Sequence, residues 1–292
     1  MDQGQAKRLT MLSQAQRSFV LGVIGAALLR DWHRGGDSQA DRLAEMYSAV
    51  RLLEGGGGGE PPREVRIREG YEEWAPSYNG PNPMIEAEQS VVHALLAPSI
   101  KRGAVVLDAA CGTGRNTAWI QAHGCRAIGL DITAAMLQRA VSTAAGAGLV
   151  QGDIRVLPLR SGSVDACVCA LVLCHLPDLK PALRELARVL RPGGRLVVSD
   201  PHGRGEYAGG QGFYGAGGIT RPRYIRNYHR QASEWIAAFG DSGFAIESCH
   251  EPRVDSVTAA RHPVSEYFPE AVLAAFHDLP YLWIWSVIRS DG

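Results

Sequence analysis

Five short apolar runs, separated by stretches of helical periodicity, constrain this chain more than any other feature. Val105-Val106-Leu107 ends in Asp108 and a glycine loop. Ala127 to Leu130 ends in Asp131, and Leu149 to Gly152 ends in Asp153. Val164 to Leu171 and Arg195 to Ser199 follow, the last after the turn Arg191-Pro192-Gly193-Gly194. Thr117 to His123, Ala134 to Ala144 and Pro181 to Leu190 read as the helices between them. Strands without polar alternation are buried on both faces, so the pattern predicts an α/β fold: a Rossmann-like, doubly wound, mostly parallel sheet with helices on both sides. A ligand then belongs at the C-terminal ends of the strands. Gly243 to Glu247 and Leu282 to Ile288 read as two further strands.

The flanks differ in composition. Phe19 to Leu29 is an apolar stretch of eleven residues, too short for a bilayer core that needs about 20. Its small residues Gly22, Gly25 and Ala26 suit close packing on a neighbour, and a homo-oligomer through this segment is one expectation. Gly55 to Gly59, followed by Glu60, Pro61 and Pro62, has linker composition. Residues 1–54 therefore read as an N-terminal helical extension, 55–62 as a linker and 63–292 as the main domain. Two insertions interrupt that domain near 203–230 and 252–279. The first carries Tyr207, Phe213, Tyr214, Tyr224, Tyr228 and His229 and reads as a lid over an apolar or aromatic ligand; a surface packing on a neighbouring subunit stays open for it. Its arginines Arg221, Arg223, Arg226 and Arg230 read as a solvated face.

Thirty Lys+Arg balance thirty Asp+Glu, which disfavours a nucleic-acid partner. The six cysteines, at 111, 125, 167, 169, 174 and 249, include no CxxC pair. They read as small buried hydrophobes in a reducing, cytoplasmic setting, with neither disulfides nor a metal site.

The chemistry sits at the strand ends. Asp108-Ala109-Ala110-Cys111-Gly112-Thr113-Gly114 places small residues after a buried strand, where backbone can approach a ligand closely. Thr117 stands where a dinucleotide fingerprint requires glycine or alanine, and no Gly-Lys-Ser/Thr follows for a phosphate loop. Asp131 is placed to accept bonds from ribose hydroxyls and Asp153 to receive an adenine amino group, although each alone also fits a helix N-cap. Carboxylates at three successive strand ends suit a ligand with an amine, a ribose diol and an adenine, and no phosphate.

With Tyr71-Glu72-Glu73-Trp74-Ala75-Pro76-Ser77-Tyr78, Gly129-Leu130-Asp131, Gly152-Asp153 and Leu190-Arg191-Pro192-Gly193-Gly194 added to that loop, residues 71–200 resemble the class I S-adenosylmethionine-dependent methyltransferases. The resemblance is to the group containing the ubiquinone and menaquinone C-methyltransferases and many natural-product methyltransferases. It implies a seven-stranded sheet with an antiparallel last strand, S-adenosylmethionine as cofactor and S-adenosylhomocysteine as product. It also implies that Asp108 and the backbone from Ala110 through Gly112 to Gly114 hold the methionine part, Asp131 the ribose, and Asp153 with Ile154 the adenine. Ile132 and Met136 pack on the base, Tyr71 and Tyr78 close over the cofactor, and Leu171 touches it through its backbone. Ala110 departs from the glycine of many relatives. Tyr71, Trp74 and Tyr78 also fit plain core aromatics.

Methyl transfer needs an aligned nucleophile, exclusion of water and, for a protic acceptor, a base. In relatives that methylate hydroxyls, a histidine at the position of His175 and an aspartate at that of Asp200 resemble a general-base pair. His175 as a wall of the pocket is the competing reading, and His202 is a weaker candidate. The resemblance implies transfer to a small, apolar or aromatic metabolite in a biosynthetic, secondary-metabolite pathway. A non-methylating S-adenosylmethionine protein and an RNA or protein methyltransferase stay open.

Overall fold

The computed structural model describes residues 7, 9–33, 37–54, 60–207, 209–214 and 223–290. The glycine run 55–59, and Arg221 with the middle of the first insertion, lie outside them. The chain forms two compact units. The larger comprises Arg66–Arg204, Arg226–Pro252 and Tyr281–Gly292, and the smaller Met1–Val65, Gly205–Ile225 and Arg253–Pro280.

In the larger unit, helices α1 (Ile67–Trp74) and α2 (Pro83–Leu96) precede an alternating series. It runs β1 (Val105–Ala109), α3 (Arg115–Ala122), β2 (Arg126–Asp131), α4 (Ala134–Thr143), β3 (Gly148–Gln151), β4 (Val164–Ala170), α5 (Lys180–Val189) and β5 (Leu190–Pro201). Helix α6 (Ala232–Gly240), β6 (Phe244–His250) and β7 (Leu282–Arg289) complete it. All seven strands form one sheet in the order β3-β2-β1-β4-β5-β7-β6. The first five are mutually parallel, and β7 lies antiparallel to both β5 and β6. The strand order reverses between β1 and β4, which opens a crevice at their C-terminal ends.

The continuous apolar runs are explained by burial on both faces. Leu107, Leu130, Cys167, Cys169, Leu196 and Val198 face a core containing Leu183, Leu186, Trp235 and Phe239. Their neighbours Val106, Ala127, Ala166, Val168 and Val197 face a second core with Val92, Leu96 and Ile120. The alternation has the two-residue period of a pleated strand. The cysteines are unpaired, and all except Cys249 are buried.

The smaller unit contains the helices Gln14–Asp31, Asp37–Leu53, Ser256–Ala260 and Pro269–Phe276. It also holds a three-stranded sheet in which Arg223–Ile225 pairs in parallel with Arg63–Val65 and antiparallel with Gly212–Tyr214. Its members are thus drawn from the N-terminal segment and from both insertions. Ser13 and Gln16 form a reciprocal capping box at the start of the first helix. His262 stacks on Phe19 and lies against Phe276, and burial lowers its pKa to about 4. Arg30 donates to the carbonyls of Ala275 and His277. Among the described residues, no helix is long and apolar enough to cross a membrane.

Candidate cofactor cleft and active site

The crevice in the larger unit is a cleft of about 730 Å³ including its open mouth, within the range of small-molecule sites. One wall is the glycine loop after β1, represented by Ala110 and Gly112. Asp131, Ile132, Thr133 and Met136, after β2, form the floor. Gly152 to Arg155 follow β3, Ala170 to Val172 with His175 and Leu176 follow β4, and Ile67, Tyr71 and Tyr78 come from α1 and the turn after it.

Two non-glycine residues of this lining take left-handed backbone, Ala110 at φ 63° and Leu171 at φ 54°. That conformation is costly for an L-residue and is often found at ligand sites. Leu171 is held there by its N–H, which donates to the Ser199 carbonyl at 2.8 Å. Gly112, at φ +54°, leaves open space where a Cβ would stand, with only Tyr78 nearby at 3.8 Å. Gly114 serves packing instead: a Cβ there would lie 3.1 Å from that of Ala140. It is the N-cap of α3 and does not line the cleft.

Asp131 is buried and accepts from Gly112 N–H at 2.9 Å on Oδ2 and from Thr133 N–H at 2.8 Å on Oδ1. Each oxygen retains a second lone pair. Burial raises its pKa, opposed by those amide bonds. It is not a helix cap, since Thr133 occupies that position on α4. Asp153 lines the cleft, but its carboxylate is gripped by Arg155 through Nε and Nη2 and by the Arg155 amide. These bonds from Arg155 hold its pKa below the usual value. Asp108 departs from its expected place. It is fully buried, accepts from Thr117 Oγ1 at 2.6 Å, and is absent from the lining. Burial pushes its pKa up to about 6.

The segment carrying Tyr71 and Tyr78 is tied down at several points. Arg68 donates to the Ile132 carbonyl, Arg139 to that of Pro76, and Thr113 to Asn79 Oδ1. Tyr71 stacks on Trp74, and Trp74 meets Tyr78 edge to face. The Tyr71 hydroxyl lies 2.8 Å from His175 Nε2, while His175 Nδ1 lies 2.9 Å from the Arg226 carbonyl. A carbonyl only accepts, so Nδ1 carries the hydrogen and Nε2 accepts from Tyr71. Burial lowers the His175 pKa and raises that of Tyr71 well above 10, so both are neutral near pH 7. Desolvation likewise raises Tyr78 to about 12.

The expected pairing of His175 with Asp200 does not form, because both ring nitrogens are already engaged. Asp200 is buried, receives the Cys174 backbone N–H, and has Oδ1 without a partner among the described residues. Burial pushes its pKa to about 7, and it does not line the cleft. His202 is also elsewhere, its ring tilted against that of Trp283 at 4.0 Å and bonded to Glu251 at 3.0 Å.

The expectations omitted Ile67, Thr133, Val172 and Leu176, which line the cleft. They also omitted Arg155, whose position two residues after Asp153 was a readable signal, and Glu88. Glu88 is fully buried, paired with Arg115 and accepting from Ser199 Oγ. Desolvation raises its pKa.

Residues 107–198 match the family described as a methyltransferase domain. Over those residues the chain carries a methyltransferase domain of the class I S-adenosylmethionine-dependent kind. It is 42% identical over 97 residues to a malonyl-[acyl-carrier protein] O-methyltransferase of Yersinia pestis, covering 33% of this chain and 36% of that protein. It is 32% identical over 138 residues to the methyltransferase GfsG of Streptomyces halstedii, covering 44% and 49%. The chain therefore spans less than half the length of these curated relatives. An S-adenosylmethionine-dependent methyltransferase structure from Mesorhizobium loti superposes with a TM-score of 0.53 at 26% identity, over 70% of this chain and 98% of that one.

The cofactor of such a domain is S-adenosylmethionine, and the cleft of this methyltransferase domain fits it. Asp131 keeps lone pairs for a vicinal diol, the space over Gly112 faces Tyr78, and Ile132, Met136 and Ile154 offer apolar surface to a base. The carboxylate of Asp153 is the exception, since a base amine there would share it with Arg155.

Proposed function

We propose that this protein transfers the methyl group of S-adenosylmethionine to a small, apolar or aromatic metabolite through an O–H or N–H of that acceptor. The observation that carries this reading is the hydrogen bond from Tyr71 to Nε2 of His175, between two residues that both line the cleft. The bound cofactor supplies an electrophilic methyl group on a sulfonium, whose positive charge is lost on transfer. In this reading Asp131 holds the ribose, Ile132, Met136 and Ile154 pack on the base, and Tyr71 and Tyr78 exclude water.

The proton has a path in this chain's own residues. With its hydrogen directed to Nε2, the Tyr71 oxygen presents its lone pairs to a donor. A proton passing from the acceptor to Tyr71 Oη, while the Tyr71 hydrogen moves to Nε2, leaves an imidazolium whose Nδ1–H stays on the Arg226 carbonyl. One positive charge is thereby restored to the space that lost one, which limits the electrostatic cost in a buried site. A carboxylate acceptor has no proton to surrender and gives the Tyr71–His175 pair nothing to do.

The test uses purified protein, methyl-labelled S-adenosylmethionine and a panel of small phenols, alcohols, amines and carboxylates, with malonyl-acyl carrier protein and bulk RNA as further arms. Label on a phenol, alcohol or amine supports the reading. Label only on a carboxylate, a protein or RNA would overturn it. Titration with S-adenosylhomocysteine and NAD checks the cofactor separately.

A further inference from the structure

The turn that carries His175 is held from both sides by residues with no part in the cleft. Arg230 is buried. Its guanidinium donates through Nη1 to the carbonyls of Leu173 and Tyr228, at 3.3 and 2.9 Å, and through Nη2 to the carbonyl of Leu176. The Tyr228 N–H donates to the Cys174 carbonyl at 2.6 Å. The carbonyls of Leu173, Cys174 and Leu176, bracketing His175 in sequence, are therefore all satisfied from the segment 226–230. That same segment supplies the Arg226 carbonyl to Nδ1.

Arg230 is itself anchored. Its carbonyl accepts from Trp283 Nε1 at 3.1 Å. A Cβ on Gly203 would fall 2.2 Å from that oxygen, so only glycine admits so close an approach just past the end of β5. A planar guanidinium with fixed donors, set on a pinned backbone, fixes geometry that a flexible ammonium does not.

We propose that Arg230 is a positioning residue for the Tyr71–His175 pair: by clasping the Leu173–Leu176 turn to the segment 226–230, it keeps the Arg226 carbonyl on Nδ1 and so leaves Nε2 as the proton acceptor. This rests on the methyl-transfer reading for its kinetic consequence, but not for its structural one. Asp200 then has a different place from the one its sequence position suggests. It meets the turn through the Cys174 N–H and not through the imidazole.

The experiment is nitrogen NMR of protein labelled with 15N-histidine, with the His175 signals assigned from a His175→Gln variant, alongside S-adenosylhomocysteine titration and turnover. The wild-type protein is expected to show His175 protonated on Nδ1 and bare on Nε2. Arg230→Met is expected to give mixed tautomers, a fall in kcat of about tenfold or more, and unchanged S-adenosylhomocysteine affinity. Arg230→Lys, which retains charge and part of the donor set, is expected to fall between the two and guards against a simple failure of Arg230→Met to fold. Retention of the Nδ1–H tautomer in Arg230→Met overturns the proposal. So does parallel loss of cofactor affinity in both variants, which marks Arg230 as a support of the whole domain. If the wild-type protein methylates nothing in the panel while the tautomer shifts as expected, the positioning role stands and the methyl-transfer reading is what fails.

Discussion

Gly112 and Asp131, nineteen positions apart, are joined by an amide-to-carboxylate hydrogen bond of 2.9 Å that ties the glycine loop after β1 to the end of β2. In the proposed reading the same carboxylate also holds the ribose, so its removal acts on loop and ligand together. Asp131→Ala should weaken S-adenosylhomocysteine binding by roughly 1.5–3 kcal/mol, the range for hydrogen bonds to a charged group, which is about tenfold to a hundredfold. Calorimetric titration measures it, and unchanged affinity would remove Asp131 from the cofactor site.

Tyr71→Phe keeps the ring that stacks on Trp74 and deletes the hydroxyl at Nε2 of His175. Turnover of a protic acceptor should drop by about a hundredfold, the lower end of what a positioned proton-transfer group contributes. Cofactor affinity should hardly change. Equal losses in both measurements would mean that Tyr71 acts only as a wall.

Burial lowers the His175 pKa below its usual 6.5. The folded protein therefore keeps the imidazole neutral at pH values where the unfolded chain has begun to protonate it. Its contribution to stability is complete above pH 6.5 and is lost as pH falls toward the depressed folded value. The kcat profile should be level from pH 7 upward through this group and bend downward only on the acid side of 6.5. A kinetic inflection above pH 7 that disappears in His175→Gln would contradict this assignment.

Asp200 shifts in the opposite sense, from 3.8 up to about 7, chiefly through burial. Its protonated form is favoured in the fold, so the associated stability is present below pH 3.8 and lost as pH rises through about 7. Asp200→Asn cannot ionise. The melting temperature of this variant relative to wild type should therefore move upward between pH 5 and pH 8, by roughly 2–4 °C for each kcal/mol involved. A pH-independent difference would show that Asp200 does not titrate in that range.

Ala110 holds a left-handed backbone that costs an L-residue about 1–2 kcal/mol. Ala110→Gly should relieve most of this, less the extra chain entropy that glycine loses on folding, for a net gain of about 0.5–1 kcal/mol. Thermal unfolding at fixed pH reads the gain, and a lower melting temperature would mean that the Ala110 methyl packs well enough to offset its strain.

Much of the sheet was legible because its strands are buried on both faces. Val106 and Leu107, or Ala166 and Cys167, point into different apolar cores, so no polar residue interrupts the run. Ile132, Met136, Ile154 and Leu171 were expected only from the family resemblance, whereas the wall residues Asp131 and Asp153 stand at those strand ends and were readable from them. The partners of His175 were not. The family resemblance suggested Asp200, but Tyr71 lies 104 positions from His175 and Arg226 lies 51. Which side chain or carbonyl meets an imidazole over such separations is decided by packing, which no local spacing encodes. The small sheet was hidden for another reason: Arg63–Val65 and Arg223–Ile225 are three residues each, too short to display a period.

The order of the strands also governs when this protein can fold. Among the described residues β6 has β7 as its only neighbour in the sheet, although β6 is synthesised before β7, the last of the seven strands. Arg30, in an early helix, must wait for the carbonyl of Ala275, 245 positions later. Neither unit closes while its final segment is still being translated, and until then the far edge of β5 stays open as a template for strand pairing. A ribosome pausing between residues 250 and 280 would leave that edge of β5 without its β7 partner.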